Sequence, residues 1–183
     1  MSYTPRLTDY GIRNNPMWYS QNPFYINGYG LPNCTCYAWG RWWEINIEGG
    51  HNERPALNTG GNAKNWWPNN ISRFEHGQTP KLGAIICFAP SPGSNRNGHV
   101  AVVERIVGRT IITSNSDWKG RYFYTEELSP DANGRYHHSV YTSQGFLYNP
   151  YVDITPTPTP SSSQERRHFP WAVALHHWSQ FKH

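Results

Sequence analysis

The stretch GLPNCTCYAWGRWWE, residues 30–44, joins a proline turn to an aromatic run and carries two of the three cysteines of the chain. From Cys34 to about Ile47, apolar side chains recur at steps of three and four residues, which is the period of a helix with one buried face. Asn33 is a suitable N-cap, and the glycine pair at 49–50 is a suitable stop. The stretch therefore predicts a helix that begins at a cysteine.

The second half of the chain predicts a sheet. After Pro80, runs rich in β-branched and aromatic residues alternate with Gly, Pro and Asn, as in LGAIICFAP, HVAVVERIV, TIITSNSDW, GRYFYTEEL and SQGFLYNP. A shorter helix is expected around Asn62 to Trp67, ending near Pro68. Helices followed by an antiparallel meander indicate the α+β class.

Composition excludes several classes of protein. Aromatic residues make up 15% of the 183 residues, which supplies the burial that disordered chains lack. The net charge of +4 is scattered, with no block of five Lys or Arg, so no nucleic-acid partner is expected. No run of 18 apolar residues occurs, and we expect a monomer without stable membrane insertion.

The two ends of the chain carry separate signals. The N-terminus lacks the basic and apolar regions of a secretory signal, so we expect synthesis in the cytoplasm. A catalytic domain is expected over 1–152, followed by a Pro/Thr/Ser linker over 153–165. The basic, aromatic tail over 166–183 is too short for an independent domain.

The cysteine pair allows three interpretations. A zinc site usually needs two CxxC-like knuckles, and here the spacing is CxC. A disulfide between Cys34 and Cys36 is disfavoured, because side chains two apart diverge on a helix. A single reactive thiol remains, and Cys34 lies where backbone N–H groups and the helix dipole favour a thiolate. We expect Cys36 and Cys87 to pack as small apolar residues.

A nucleophilic thiol needs a base and a residue that orients the base. Among nine histidines, only His99 opens a clean strand, GHVAVVE. The neighbouring strand TIITSNSDW offers Asn115 as the orienting residue and Asp117 as a reserve, and Glu104 ranks last because it lies on the opposite face of its strand from His99. Cysteine at a helix start and histidine on a sheet form the arrangement of a thiol hydrolase.

Three motifs, NCTCYAWGR, GHVAVVE and SNSDW, resemble the CHAP family, the cysteine, histidine-dependent amidohydrolase/peptidase domains of bacteriophage endolysins and bacterial autolysins. The segments NPFYINGYGLPNC, NAKNWW and PKLGAIICF resemble its phage branch. The resemblance implies a papain-like CHAP fold over most of the chain, with N-terminal helices packed on an antiparallel sheet.

The resemblance also implies residue roles. Cys34 stands at the position of the nucleophile, His99 at that of the general base and Asn115 at that of the orienting residue. Asn33 stands where its side chain, with the backbone N–H of Cys34, could bind the oxyanion. Asp117 remains in reserve, since some members differ at these last two positions.

Two further expectations concern ligands. The segment before the nucleophile has no carboxylate, unlike the calcium loop of the staphylococcal branch, so we expect no metal and no other cofactor. Aromatic side chains are expected either in the core or on the floor of a substrate groove, the candidates being Trp42, Trp66, Trp67 and Trp118.

The implied function is hydrolysis of bacterial peptidoglycan, as an N-acetylmuramoyl-L-alanine amidase or as an endopeptidase. A phage lysin of this kind acts on the wall after release from the host cytoplasm. The alternatives are a wall-binding module without catalysis and a thiol acyltransferase. No motif selects the bond that is cut.

Overall fold

The computed structural model describes residues 3–152, so the predicted linker and tail lie outside the described residues. Three α-helices precede seven strands, which confirms the α+β class. The helices are α1 Pro23–Ile26, α2 Cys34–Glu48 and α3 Trp66–Asn70. The strands are β1 His76–Gly77, β2 Ile85–Pro90, β3 His99–Val107, β4 Thr110–Asn115, β5 Tyr124–Leu128, β6 His137–His138 and β7 Tyr141–Leu147.

The sheet is antiparallel, with the order β1-β7-β2-β3-β4-β5, and β6 pairs with β7. Strands β2 to β5 form the expected meander. The last strand, β7, departs from the meander because it returns to pair with β2. Strand β2 is buried from Ile85 to Phe88, and a buried central strand needs hydrogen-bond partners along both edges.

Helix α2 begins and ends as the sequence predicts. The Asn33 side chain accepts a hydrogen bond from the backbone N–H of Thr35, and Gly49 closes the C-terminal end. The helix is buried along most of its length against one face of the sheet. Gly40 lets the segment around Trp18 pack closely on the helix, because a Cβ atom there would come within 2.5 Å of the Trp18 ring. Helix α2 is thus enclosed between the sheet and the N-terminal segment.

A buried ion pair locks α2 to β3. The Arg41 guanidinium donates to both carboxylate oxygens of Glu104, at 3.0 and 3.1 Å, and neither side chain is exposed. Ser114 and Tyr3 donate to the same carboxylate at 2.6 Å each. These contacts fix the helix, β3 and β4 relative to one another, and with them the residues that form the site.

The predicted second helix differs in extent. A 3-10 helix, Ala63–Asn65, leads into α3, Trp66–Asn70. The expected end at Pro68 is wrong, because this proline lies in the first turn of α3, where its missing N–H is not required. The segment before Gly30 contains a 3-10 helix at Pro16–Trp18 and the single turn of α1.

Candidate active site

Cys34 lies at the first position of α2 with a side chain that is 8% exposed. All three cysteines are free thiols. The Cys34 sulfur faces the backbone N–H groups of Val100 and Thr35. Cys36 points into the core instead, where its thiol donates to the carbonyl oxygen of Trp18 at 3.8 Å. The two cysteines therefore occupy different environments although only one residue separates them.

Burial raises the pKa of the Cys34 thiol to about 11, and the backbone N–H groups of Val100 and Thr35 only partly offset that effect. The negative charge of Asp117 raises the pKa further. The sequence-based expectation of a thiolate favoured by the helix start is therefore wrong for the resting protein. The cause is desolvation, which disfavours the charged form and outweighs the N–H groups at the helix start.

His99 is held by Asn115. The distance between His99 Nε2 and Asn115 Oδ1 is 3.0 Å, and the Asn115 amide nitrogen donates to Thr113 Oγ1 at 2.9 Å. Because the Asn115 oxygen can only accept, His99 Nε2 carries the proton. The lone pair of the neutral ring is then on Nδ1, which is free to take a proton from a thiol.

Contacts of neighbouring residues bring the start of α2, the start of β3 and the end of β4 together. Val100, next to His99 in β3, faces the Cys34 sulfur with its backbone N–H. The backbone N–H of Asn33 donates to Ser116 Oγ at 3.0 Å, which joins the start of α2 to the residue after Asn115. The predicted nucleophile, base and orienting residue therefore converge at one end of β3.

The charge state of His99 is also set by burial. Burial lowers the pKa of His99 to about 4, and a positive charge on His138 would lower it further. The hydrogen bond to Asn115 acts in the opposite direction. At neutral pH the resting pair is a thiol beside a neutral imidazole.

The other candidates for orienting His99 have different partners. The Asp117 carboxylate accepts from Tyr124 at 2.7 Å and from Arg121 at 2.9 Å. Partial burial raises the pKa of Asp117, but these hydrogen bonds prevail and hold it below its usual value. Glu104 belongs to the Arg41 ion pair. The structure thus brings Asn115 to His99.

Asn33 serves first as a helix cap. Its side-chain oxygen accepts from the Thr35 backbone N–H at 2.9 Å and from the Thr35 hydroxyl at 2.8 Å. Its amide nitrogen donates to the carbonyl oxygen of Tyr29 at 3.0 Å. Asn33 lies beside Cys34, and its hydrogen bonds fix the turn from which the helix starts.

A cavity of about 600 Å³ opens over Cys34. Asn33 and Thr35 line it beside the thiol, and Tyr29 and Trp118 line it farther out. The rings of Tyr29 and Trp118 lie 5.9 Å apart, and both side chains are about half exposed. The thiol is thus reached through a groove with an aromatic rim.

Comparison with protein families identifies the family of this chain. A family model described as the CHAP domain matches residues 24–117, slightly more than half of the chain. The chain belongs to the CHAP domain family. The matched residues include the positions of Cys34, His99 and Asn115. A comparison with curated proteins finds no match.

Solved structures resemble this CHAP domain at low identity. One is an N-acetylmuramoyl-L-alanine amidase from Staphylococcus aureus, with 23% identity and a TM-score of 0.42 over 63% of this chain and 32% of that one. Another is Ly7917, with 18% identity and a TM-score of 0.41 over 62% and 53% of the two chains. A further Ly7917 structure is described as containing the hydrolyzing product of MDP. The chain matches less than two thirds of either protein.

Only one of the four predicted groove tryptophans lines the cavity of the CHAP domain, namely Trp118. Trp42 is 1% exposed and donates to the Gly83 carbonyl oxygen, so its assignment to the groove is wrong. Trp66 is fully buried, and its assignment is wrong for the same reason. Trp67 packs against His76 and does not line the cavity. The sequence alone does not distinguish a tryptophan in the core from one in a groove.

Three side chains of the CHAP domain bring possible metal ligands together. Atoms of His99, Asp117 and His138 lie within 4.8 Å of one another. They fit a resident metal poorly, because His99 already binds Asn115 and His138 already binds Glu126. The two imidazole planes are also only 18° from parallel, so their lone pairs do not converge on one point.

The sequence does not predict a role for His138. This residue lies in β6, a strand of only two residues, and so lacks the clean strand pattern that distinguishes His99. Its ring stacks on that of His99, with 4.0 Å between centroids. Burial alternates from residue 135 to residue 138, with Tyr136 and His138 buried, but the sequence there is Arg-Tyr-His-His, in which no alternation of apolar and polar residues marks His138 as buried.

Within residues 3–152, no helix of the CHAP domain combines the length and the hydropathy that a bilayer span requires.

Proposed function

We propose that this CHAP domain hydrolyses an amide bond of bacterial peptidoglycan through a covalent intermediate on Cys34. The observation that carries the proposal is the hydrogen bond of 3.0 Å between His99 Nε2 and Asn115 Oδ1, beside a thiol at the start of a helix. This bond leaves His99 Nδ1 as the base. Thiol, base and orienting amide are the parts that acyl transfer by a cysteine requires.

The charge states of the resting pair define the first step. Because Cys34 starts as a thiol and His99 as a neutral imidazole, His99 Nδ1 takes the proton while the sulfur attacks the amide carbonyl. The oxyanion forms close to backbone N–H groups at the helix start, and the Asn33 amide is our candidate for a further donor. The imidazolium then protonates the leaving amine, and the C–N bond breaks to give a thioester.

The second half of the reaction restores the enzyme. A water molecule gives a proton to neutral His99 while its oxygen attacks the thioester carbonyl. Collapse of that intermediate releases the carboxylic acid, and the proton held by His99 returns to the Cys34 sulfur. Asn115 keeps the ring oriented through both proton transfers, since its oxygen accepts from Nε2 throughout.

The residues that line the groove favour a substrate that carries no charge next to the bond that is cut. Among the described residues that line the cavity there is no Lys, Arg, Asp or Glu. A charged stem-peptide group would lose hydration there without gaining a partner. Asparagine and threonine side chains of the lining suit amide groups, and the rim formed by Tyr29 and Trp118 suits the face of a sugar ring.

We propose further that the protein is a bacteriophage endolysin, which acts on the wall after release from the host cytoplasm. The resemblance of segments around Cys34 and Pro80 to the phage branch supports this. Cytoplasmic expression in a susceptible host should leave the culture intact until a pore-forming agent is added. Lysis without that agent would contradict the proposed route.

Turbid suspensions of Gram-positive walls test the proposed function. The parent protein should clear them and release new amino groups, Cys34→Ala should do neither, and Cys36→Ala should retain most of the activity. Mass spectrometry of the products then identifies the amide bond, as an amidase or an endopeptidase cut. Sedimentation with walls without new amino groups would indicate a binding module, and products joined to an added amine would indicate an acyltransferase.

A further inference from the structure

His138 lies against the imidazole of His99, although the steps proposed above do not use it. Its ring is 8% exposed and stacks on His99 with 4.0 Å between centroids and 18° between planes. Phe88 also approaches His99, but at 6.1 Å and with a tilt of 41°. His138 is therefore the flat surface that covers one face of the proposed base.

Glu126 holds the ring of His138. The distance between His138 Nδ1 and Glu126 Oε2 is 2.6 Å. Glu126 lies in β5, opposite Thr113 of β4. Its backbone carbonyl oxygen accepts from the Thr113 hydroxyl at 3.3 Å, and Thr113 Oγ1 accepts from Asn115. One residue of β5 is thus connected both to His138 and to the residue that orients His99.

The contacts close into a circuit of His99, Asn115, Thr113, Glu126 and His138. We propose that His138 and Glu126 are positioning residues for His99. The bond to Cβ and the hydrogen bond at Nε2 hold the imidazole at two points and leave it free to rotate about the line between them. Stacking against a ring that is itself held blocks this rotation, so Nδ1 keeps one direction.

Charged and aromatic groups surround the stacked rings of His99 and His138, and one of them, Glu126, sets the orientation of the His138 ring. The charged groups nearby are the carboxylates of Glu126 and Asp117 and the guanidinium of Arg121, and the Tyr141 ring lies 6.4 Å from that of His138. Glu126 selects a His138 orientation with Nδ1 directed to β5. The rate effect rests on the proposed function, because positioning His99 matters only if His99 transfers protons.

The test measures kcat and KM on cross-linked muropeptides solubilised from a susceptible wall. We expect His138→Ala to lower kcat about 10-fold with KM unchanged, because displacement of a reacting group by a fraction of an ångström carries that penalty. His138→Phe keeps a flat stacking surface and should retain kcat within about 3-fold. His137→Ala is the matched control, since His137 is the exposed neighbour and should leave kcat unchanged.

Glu126→Ala keeps the ring of His138 but frees it, and should lower kcat about 3-fold. It decides the matter if His138→Ala fails to fold. The inference is overturned if His138→Ala or, failing that, Glu126→Ala has the parent kcat, or if His138→Phe loses as much as His138→Ala. It is equally overturned if His137→Ala loses as much. Cys34→Ala separates the two proposals: if that variant is as active as the parent, the proposed function itself has failed.

Discussion

Strand β3 carries two buried polar clusters, which differ in charge and in access. At its start, His99 joins Asn115 and Thr113 through neutral hydrogen bonds beside the cavity over Cys34. Farther along, Glu104 joins the Arg41 guanidinium in a pair without exposed surface. In the second cluster the charges of Arg41 and Glu104 compensate each other and neither side chain reaches solvent, which suits a structural role. The first retains a free imidazole nitrogen near a groove, which suits chemistry.

The largest expected effect comes from breaking the charged cluster. Glu104→Gln removes the fully buried carboxylate partner of Arg41 and leaves it only Glu44 and Glu48, at 2.8 and 3.3 Å. We expect a loss of about 3 kcal/mol in the free energy of unfolding, the lower end of the range for a broken buried pair, because these two carboxylates still compensate part of the charge. Denaturant unfolding measures this loss. The kcat of the fraction that remains folded should change little, and a specific loss of kcat with normal stability would mean that Glu104 belongs to the active site.

Acid should weaken the neutral cluster. The usual pKa of histidine is 6.5, and burial lowers that of His99 to about 4. Between these values the unfolded chain binds a proton that the folded protein does not, so stability falls as the pH is lowered through this window. The loss approaches about 3 kcal/mol at the lower limit. Urea unfolding at several pH values should show a shallower decline for His99→Gln than for the parent, and equal declines would contradict this account.

Removing the residue that orients His99 should affect the rate more than the stability, although it also leaves the buried His99 N–H without its partner, at a cost of about 1–3 kcal/mol. Asn115→Ala frees the imidazole, and we expect kcat on muropeptides to fall about 100-fold with KM nearly unchanged. Asp117→Asn is the comparison variant, because the hydrogen bonds of Asp117 go to Tyr124 and Arg121. The decrease in kcat of this variant should be much smaller. A greater loss in Asp117→Asn would transfer the orienting role to Asp117.

The smallest expected effect lies at the rim of the groove. Trp118→Ala should raise KM by roughly 3-fold to 10-fold and leave kcat unchanged, since one face of the substrate loses its aromatic contact. Tyr10→Ala is the control, because Tyr10 is 87% exposed and does not line the cavity. Equal effects of the two changes would remove Trp118 from the substrate groove.

The sequence predicted what local patterns determine. The Asn33 cap, the helix from Cys34 and the strand from His99 each follow from neighbouring residues, and the structure contains all three. Side chains two residues apart on a helix diverge, so Cys34 and Cys36 could also be assigned different environments.

Properties that depend on packing were not predictable in this way. The thiol pKa of Cys34 rises because the whole fold buries it, which outweighs the local helix start. Trp42 and Trp66 lie in the core, although their sequence context equally suits a groove. His138 reaches His99 only through the return of β7 to the centre of the sheet, which brings the paired strand β6 with it.

If Cys34 alone is the nucleophile, stoichiometric alkylation of its thiol should abolish activity. Iodoacetamide is added in steps, activity is followed, and the labelled residue is located by fragmentation mass spectrometry. We predict that inactivation parallels modification of Cys34, while Cys36 and Cys87 stay unlabelled because they are fully buried. Inactivation that follows labelling of Cys36, or full activity after complete labelling of Cys34, would contradict the account.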